Sequence, residues 1–150
     1  SITMKHKPVV IFDIDGTLAD ISHRRHFVEG KKKNWAKFNQ AMINDTPKTA
    51  IVALYQALWD KYYVIIVSGR TDDFRPQTEA WFKQWNIPIN EIHMRRFGDY
   101  RADNLIKEEI LHQLQRKGYQ IQFVVDDRDS VVAMWREHGI TCLQCDYGDF

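Results

Sequence analysis

Four apolar residues near the start of the chain, Val9-Val10-Ile11-Phe12, run unbroken into two carboxylates one residue apart, Asp13 and Asp15. A run this short and this rich in β-branched residues reads as a central strand of a parallel sheet, buried on both faces. In open parallel sheets, ligands bind outside the carboxyl ends of the strands. A buried strand end has no structural use for two unpaired carboxylates, because desolvating an unpaired charge is costly. A divalent cation would offset that cost. The stretch therefore points to an α/β fold with an acidic site on the rim of its sheet.

The rest of the chain supplies the other strands. Tyr62 to Val67 is a second apolar run and stops at Ser68-Gly69-Arg70; Ile87 to Met94 contains a short third. Ile121 to Val125 is a fourth and ends in Asp126-Asp127; Ile140 to Cys145 is a fifth. Helical patterns separate them. One starts at Thr46-Pro47, with Thr46 as N-cap and Pro47 in the first position, and carries Ile51, Leu54, Tyr55, Leu58 and Trp59. A second, Gln77 to Trp85, is expected to bury Ala80, Trp81 and Trp85. A third is capped by Asp103, bears Leu105, Ile106, Ile110, Leu111 and Leu114, and closes at Lys117-Gly118. A fourth, Ser130 to Glu137, buries Val131, Met134 and Trp135. Strands alternating with helices at this spacing predict a doubly wound parallel α/β sheet with helices on both faces. At 150 residues, with no repeat and no Pro/Gly-rich linker, the whole chain 1–150 reads as one domain.

Charge is unevenly placed. The net charge of +1 hides a local +5 between Ser22 and Lys37, from Arg24, Arg25, Lys31, Lys32, Lys33 and Lys37 against Glu29. This basic stretch lies in a small insertion, about Ala19 to Asp45, expected to lie over the carboxyl end of the sheet. His23-Arg24-Arg25-His26 and Lys31-Lys32-Lys33 read as exposed loops, and Trp35, Phe38, Met42 and Ile43 as an apolar helical stripe. Helical spacing favours core packing for Trp35 and Phe38, although either, or Tyr100, could stack a terminal base. No run of 18 apolar residues is present, which predicts no membrane span. Ser1 to Lys7 reads as a polar lead-in rather than a secretory signal, and the expected location is cytoplasmic. Cys142-x-x-Cys145 lacks a second ligand pair for zinc, so the two read as structural residues of the last strand.

Strand-end groups converge on one rim of a parallel sheet, which gathers Asp13 and Asp15, Ser68-Gly69-Arg70, Lys107, and Asp126 and Asp127. The chemistry they suggest together is phosphoryl transfer. Carboxylate oxygens suit Mg²⁺, which also takes phosphate oxygens; a lysine and a hydroxyl suit the phosphate itself. One carboxylate can act as nucleophile while another moves protons.

In these residues the sequence resembles the haloacid dehalogenase superfamily of aspartate-dependent phosphohydrolases. Asp13-Ile14-Asp15-Gly16-Thr17 matches its D-x-D-G-T motif, Ser68 the second motif, Lys107 the third, and Asp126-Asp127 the fourth. The resemblance implies a Rossmannoid fold with a small cap and a Mg²⁺ cofactor. It implies Asp13 as nucleophile and Asp15 as acid and base, with Thr17, Ser68, Gly69 and Lys107 around the phosphoryl group. It also implies a metal site made by Asp13, Asp126, Asp127 and the Asp15 main-chain carbonyl, leaving open which of Asp126 and Asp127 touches the ion.

Val67-Ser68-Gly69-Arg70, Lys107-Glu108-Glu109-Ile110, Asp126-Asp127-Arg128, Val131 to Arg136 and Gly148-Asp149-Phe150 are similar, more narrowly, to the phosphatase half of bacteriophage polynucleotide kinase/phosphatase. That resemblance implies removal of 3′-phosphates from DNA or RNA ends, with Arg70 and Arg128 as phosphate or substrate contacts; Arg24 and Arg25 of the basic insertion are further candidates for such contacts. No G-x-x-x-x-G-K-[ST] run occurs, so the chain offers no ATP site. The basic insertion suits a polyanionic substrate. Two alternatives stand beside this reading: a 5′-nucleotidase or small-metabolite phosphatase on the same scaffold, and a non-catalytic module that binds nucleic-acid ends. Oligomeric state is not legible in the sequence.

Overall fold

A computed structural model describes residues 7–150, so the lead-in before Lys7 lies outside the described residues. Five parallel strands form the main sheet: β1 (Val9–Phe12), β4 (Tyr63–Thr71), β5 (Glu91–Arg95), β6 (Ile121–Asp126) and β7 (Cys142–Gln144), in the order β5-β4-β1-β6-β7. Strand β1 is central, flanked by β4 and β6. The helices of the crossovers are α2 (Thr49–Leu58), α3 (Arg75–Gln84), α4 (Asp103–Arg116) and α5 (Asp129–Glu137).

Alternation along β1 divides the core into two layers. Val9 and Ile11 face α4 and α5, where Ile106, Ile110, Leu111, Leu114, Val131 and Trp135 pack. Val10 and Phe12 face α2 and α3, meeting Val52, Tyr55, Trp81 and Phe82. The chain leaves β1 in one direction through α2 and α3, then reverses through α4 and α5. The helices change face at that reversal, as a single crossover hand requires. Beside β1 lies the switch point where such sheets place their ligands.

Several local expectations are corrected. Thr46 and Pro47 do not cap a helix; they form β3 (Thr46–Pro47), antiparallel to β2 (Ala19–Asp20), and α2 begins after Lys48. A two-stranded ribbon tolerates a proline, which has no N–H to give. Strand β4 runs on through Ser68-Gly69-Arg70 to Thr71. Helix α3 buries Thr78, Trp81 and Phe82, leaving Ala80 and Trp85 exposed. Leu105 on α4 is exposed, and the N-cap there is Ala102, with Asp103 already in the first turn.

The insertion is closed at its base by the β2–β3 ribbon. It holds a 3₁₀ helix (Ser22–Val28), the short helix α1 (Trp35–Gln40) and a 3₁₀ turn (Ala41–Asn44). His23 to His26 are thus helical, not an exposed loop, and Arg24 is fully buried. The expected apolar stripe is only partly buried: Met42 is inside, Phe38 half-buried, and Trp35 and Ile43 are exposed. Six residues of helix are too few to carry a continuous buried face.

Candidate active site

The register of the sheet builds the site. Phe12 is level with Ile66 of β4 and Val125 of β6, so Asp13 emerges between Val67-Ser68 and Asp126. Helix α4 brings Lys107 in from one face. Its ammonium donates to Asp13 Oδ1 at 2.8 Å and to Asp126 Oδ2 at 3.0 Å, and all three side chains are buried. Thr17 Oγ1 donates to Asp13 Oδ2 at 3.1 Å. Asp126 is fixed further by the Asp127 amide at 2.8 Å and the Trp135 indole at 3.4 Å.

Gly16 and Asp127 fit together by subtraction. Gly16 has φ +80, and a Cβ there would lie 2.1 Å from Asp127 Oδ2. Only glycine meets both demands. Asp13, Asp126 and Asp127 each offer a carboxylate oxygen, and these atoms lie within 4.8 Å of one another. Asp127 Oδ2 is buried without a hydrogen-bond partner among the described residues. Three buried carboxylates against one ammonium, with an orphaned oxygen among them, fit a hard divalent cation. Burial, with repulsion from Asp126, pushes Asp13 well above its usual range. Burial likewise lifts Asp127 to about 6. Burial alone would lower Lys107, yet Asp126 and Asp13 raise it well above the ordinary lysine value.

Asp15 has different company. Arg24 Nη2 donates to its Oδ1 at 2.9 Å, and Arg70 Nε and Nη2 at 3.1 and 2.6 Å. Burial would raise this carboxyl, but Arg70 and then Arg24 hold it below its ordinary value. None of these contacts uses Oδ2. The side chain stands apart from the three-carboxylate cluster, so among the atoms of Asp15 only the main-chain carbonyl remains for the metal role that the resemblance implies.

Arg24 and Arg70, two of the four arginines expected to touch phosphate or substrate, reach Asp15 and Asp45. Arg24 Nε and Nη2 reach Asp45 at 2.8 and 2.9 Å, and its Nη1 reaches the Phe38 carbonyl at 3.3 Å. Arg70 Nη1 donates to Thr78 at 3.1 Å and its Nη2 to Asp45 at 3.3 Å. Each makes four hydrogen bonds to carboxylates and neighbours, out of the five N–H donors of a guanidinium. Asp45, absent from the sequence-based set, is the anchor: 1% exposed, it also meets His23 Nε2 at 2.6 Å, and its carbonyl accepts from Trp81. The local sequence held no sign of this beyond an acidic residue at the edge of a basic insertion.

Asp103 does comparable work on the opposite wall. Arg95 donates to it at 2.7 Å and Arg128 at 3.4 Å. Arg95 also holds the Gly69 carbonyl at 2.8 Å, where a Cβ on Gly69 would strike Asp103. Ser68 is buried, its Oγ accepting from the Arg70 amide at 3.1 Å. Arg25 and Arg128 lie at the rim, each 5.2 Å from the Phe150 ring centroid. Cys142 is buried on β7 and Cys145 half-buried beyond it. Both are free thiols, and among the described residues neither joins a cluster of metal-ligating side chains.

A family model described as the polynucleotide kinase PNKP phosphatase domain matches residues 7–150. A protein of Autographa californica nuclear polyhedrosis virus, named for a bifunctional polynucleotide kinase/RNA ligase, is 27% identical over 136 residues, 89% of this chain and 18% of that protein. Chains in a structure of the Pnkp1/Rnl/Hen1 RNA repair complex and in a second structure of a Pnkp1/Rnl/Hen1 complex are similar at 33% and 34% identity. Their TM-scores are 0.83 and 0.81, covering 96% and 97% of this chain and 44% and 48% of theirs. The chain therefore spans less than half the length of these relatives. A haloacid dehalogenase family enzyme of Bacteroides thetaiotaomicron, solved with magnesium and inorganic phosphate, shares the fold at 13% identity and TM-score 0.56, each chain covered to 96%. Among the described residues no helix is long and apolar enough to cross a membrane.

Proposed function

This chain belongs to the polynucleotide kinase PNKP phosphatase-domain family, and on that premise we propose that it is a Mg²⁺-dependent phosphomonoesterase that removes 3′-phosphates from polynucleotide ends. The observation that carries the reading is the division of labour between two carboxylates one residue apart. Asp13 sits with Lys107 and two further carboxylates, whereas Asp15 sits with two arginines.

An Asp13 carboxylate oxygen bonds to phosphorus as the phosphorus–oxygen ester bond breaks, giving an aspartyl phosphate. The departing 3′ oxygen takes a proton from Asp15. Asp15 then takes a proton from water, whose oxygen displaces Asp13 and releases inorganic phosphate. Before that first transfer Asp15 must be protonated, against the pull of its arginines. The arriving phosphate dianion supplies the opposing field, since a nearby like charge raises a carboxyl's pKa. Arg24 and Arg70 grip Oδ1 alone, which leaves Oδ2 to carry the proton. Lys107 neutralises charge on the nucleophile and the phosphoryl oxygens. Asp13, Asp126 and Asp127 would hold the Mg²⁺, which when bound supplies a Lewis acid for the phosphoryl oxygens.

The test is phosphate release from 3′-phosphorylated RNA and DNA oligonucleotides, 5′-phosphorylated oligonucleotides and mononucleotides, with and without Mg²⁺. RNA leads the panel because the relatives are named for RNA ligation and RNA repair. Expected is Mg²⁺-dependent release from 3′ ends, lost in Asp13→Asn. A preference for mononucleotides would overturn the polynucleotide assignment, and near-normal turnover by Asp13→Asn the covalent mechanism.

A further inference from the structure

The insertion presents a surface that the chemistry above leaves unused. Lys31, Lys32, Lys33 and Lys37 are all exposed, on a segment that carries +5 in a chain of net +1. Beside them Trp35 opens α1 with 55% of its surface exposed. A single exposed aromatic needs no explanation by itself. Its surroundings set this one apart.

Trp35 stands edge-on to Phe38, ring centroids 5.6 Å apart at 90°. The Phe38 ring in turn carries the Arg24 guanidinium 4.3 Å from its centroid, and Arg24 holds Asp15 at 2.9 Å. The exposed indole is thus three contacts from the acid that faces the leaving oxygen. The lysine loop is pinned as well: the Asn34 amide donates to the Phe27 carbonyl at 2.6 Å, and Asn34 Oδ1 accepts from the Lys37 amide at 3.1 Å. A fixed aromatic face among cations, leading to a phosphate-handling site, is the combination that binds single-stranded nucleic acid without reading its sequence.

We propose that this face of the insertion is the track for the single strand leading to the reacting end, Trp35 stacking a base and Lys31 to Lys33 neutralising backbone phosphates. The inference rests on the polynucleotide reading above and deepens it by naming a surface and a substrate form. Its charge selects the occupant: a cationic patch of this density repels a second copy of itself and attracts a polyanion.

The experiment measures kcat and KM for 3′-phosphorylated single-stranded oligonucleotides of two and twelve nucleotides, with p-nitrophenyl phosphate as the small reference. Proteins compared are the full chain, Trp35→Ala, Trp35→Phe and Lys31→Ala/Lys32→Ala/Lys33→Ala. Trp35→Ala is expected to lower the ratio of dodecamer to aryl phosphate kcat/KM about tenfold, through KM, because stacking one base has that order of effect. Trp35→Phe, which keeps an aromatic face, restores most of it. The triple variant is expected to flatten the gain from two to twelve nucleotides and to reduce the slope of log(kcat/KM) against log[salt] by about 2, at roughly 0.7 per phosphate contact. If the full chain releases 3′-phosphate and both lesions leave the ratio and length dependence unchanged, the track is refuted while the phosphatase reading stands. If the full chain acts on the aryl phosphate but on neither oligonucleotide, the polynucleotide reading falls, and the track with it.

Discussion

Asp45 and Asp15 face each other across two shared guanidinium groups: Arg24 and Arg70 each donate to both carboxylates. One carboxylate lies at the end of the insertion and the other just beyond the central strand. The insertion is therefore bolted to Asp15, whose carboxyl is held below its ordinary value first by Arg70 of β4 and then by Arg24 of the insertion.

Asp45→Asn removes the charge from between two buried arginines. Breaking a buried ion pair from one side is expected to destabilise the fold by about 3 kcal/mol, read as a lowered urea midpoint. Turnover of p-nitrophenyl phosphate should fall through kcat with KM little changed, because Asp45 positions Asp15 and touches no substrate. A change confined to KM would contradict that role.

Lys107→Met leaves Asp13 and Asp126 buried without their shared cation. At pH 7 the variant should lose about 3–5 kcal/mol of stability and its catalytic activity. The loss should be smaller at pH 5, where Asp13, already raised by burial, escapes part of the penalty by taking up a proton. Chemical denaturation at the two pH values checks this; equal losses would mean that the ammonium does not balance these carboxylates.

Magnesium and protons should compete for the same oxygens. Asp127 is raised from 3.8 to about 6, and Asp13 also rises, so in the metal-free protein the folded state binds more protons than the unfolded chain. That contribution to stability is complete below about pH 4 and is lost as pH climbs through about 6. A bound cation takes the protons' place. Differential scanning fluorimetry should show a Mg²⁺-induced rise in Tm that is larger at pH 7 than at pH 5, removed by a chelator. A Mg²⁺ effect that grows toward low pH would place the ion elsewhere.

Much of this architecture was readable from the chain because a parallel sheet writes itself plainly. Buried strands such as β1 and β4 are unbroken apolar runs, and their carboxyl ends are marked by polar residues that a core would reject. What was not readable depended on partners distant in sequence. Nothing local marks Asp45 or Asp103 as the hub of an arginine pair, and nothing in His23 to His26 announces that Arg24 is buried. Trp35 and Ile43 obey helical spacing, but spacing implies burial only where another element lies opposite: Phe38 rests against Arg24 and is half-buried, whereas Trp35 at the start of α1 and Ile43 past its end are exposed. Trp85 shows the converse: it follows a buried pair, Trp81 and Phe82, yet lies past the end of α3 where the chain turns outward.

The hydrogen bond from the Asn34 amide to the Phe27 carbonyl separates two kinds of evolutionary freedom. Inside it, Arg24 and Asp45 are tied to the acid and tolerate little. Outside it, Val28 to Lys33 form a closed loop whose length and charge enter none of the catalytic contacts, and lengthening such a loop costs only about 0.6 kcal/mol per doubling. That outer loop can therefore change in length and charge without disturbing the Asp15–Arg24–Asp45 contacts beneath it.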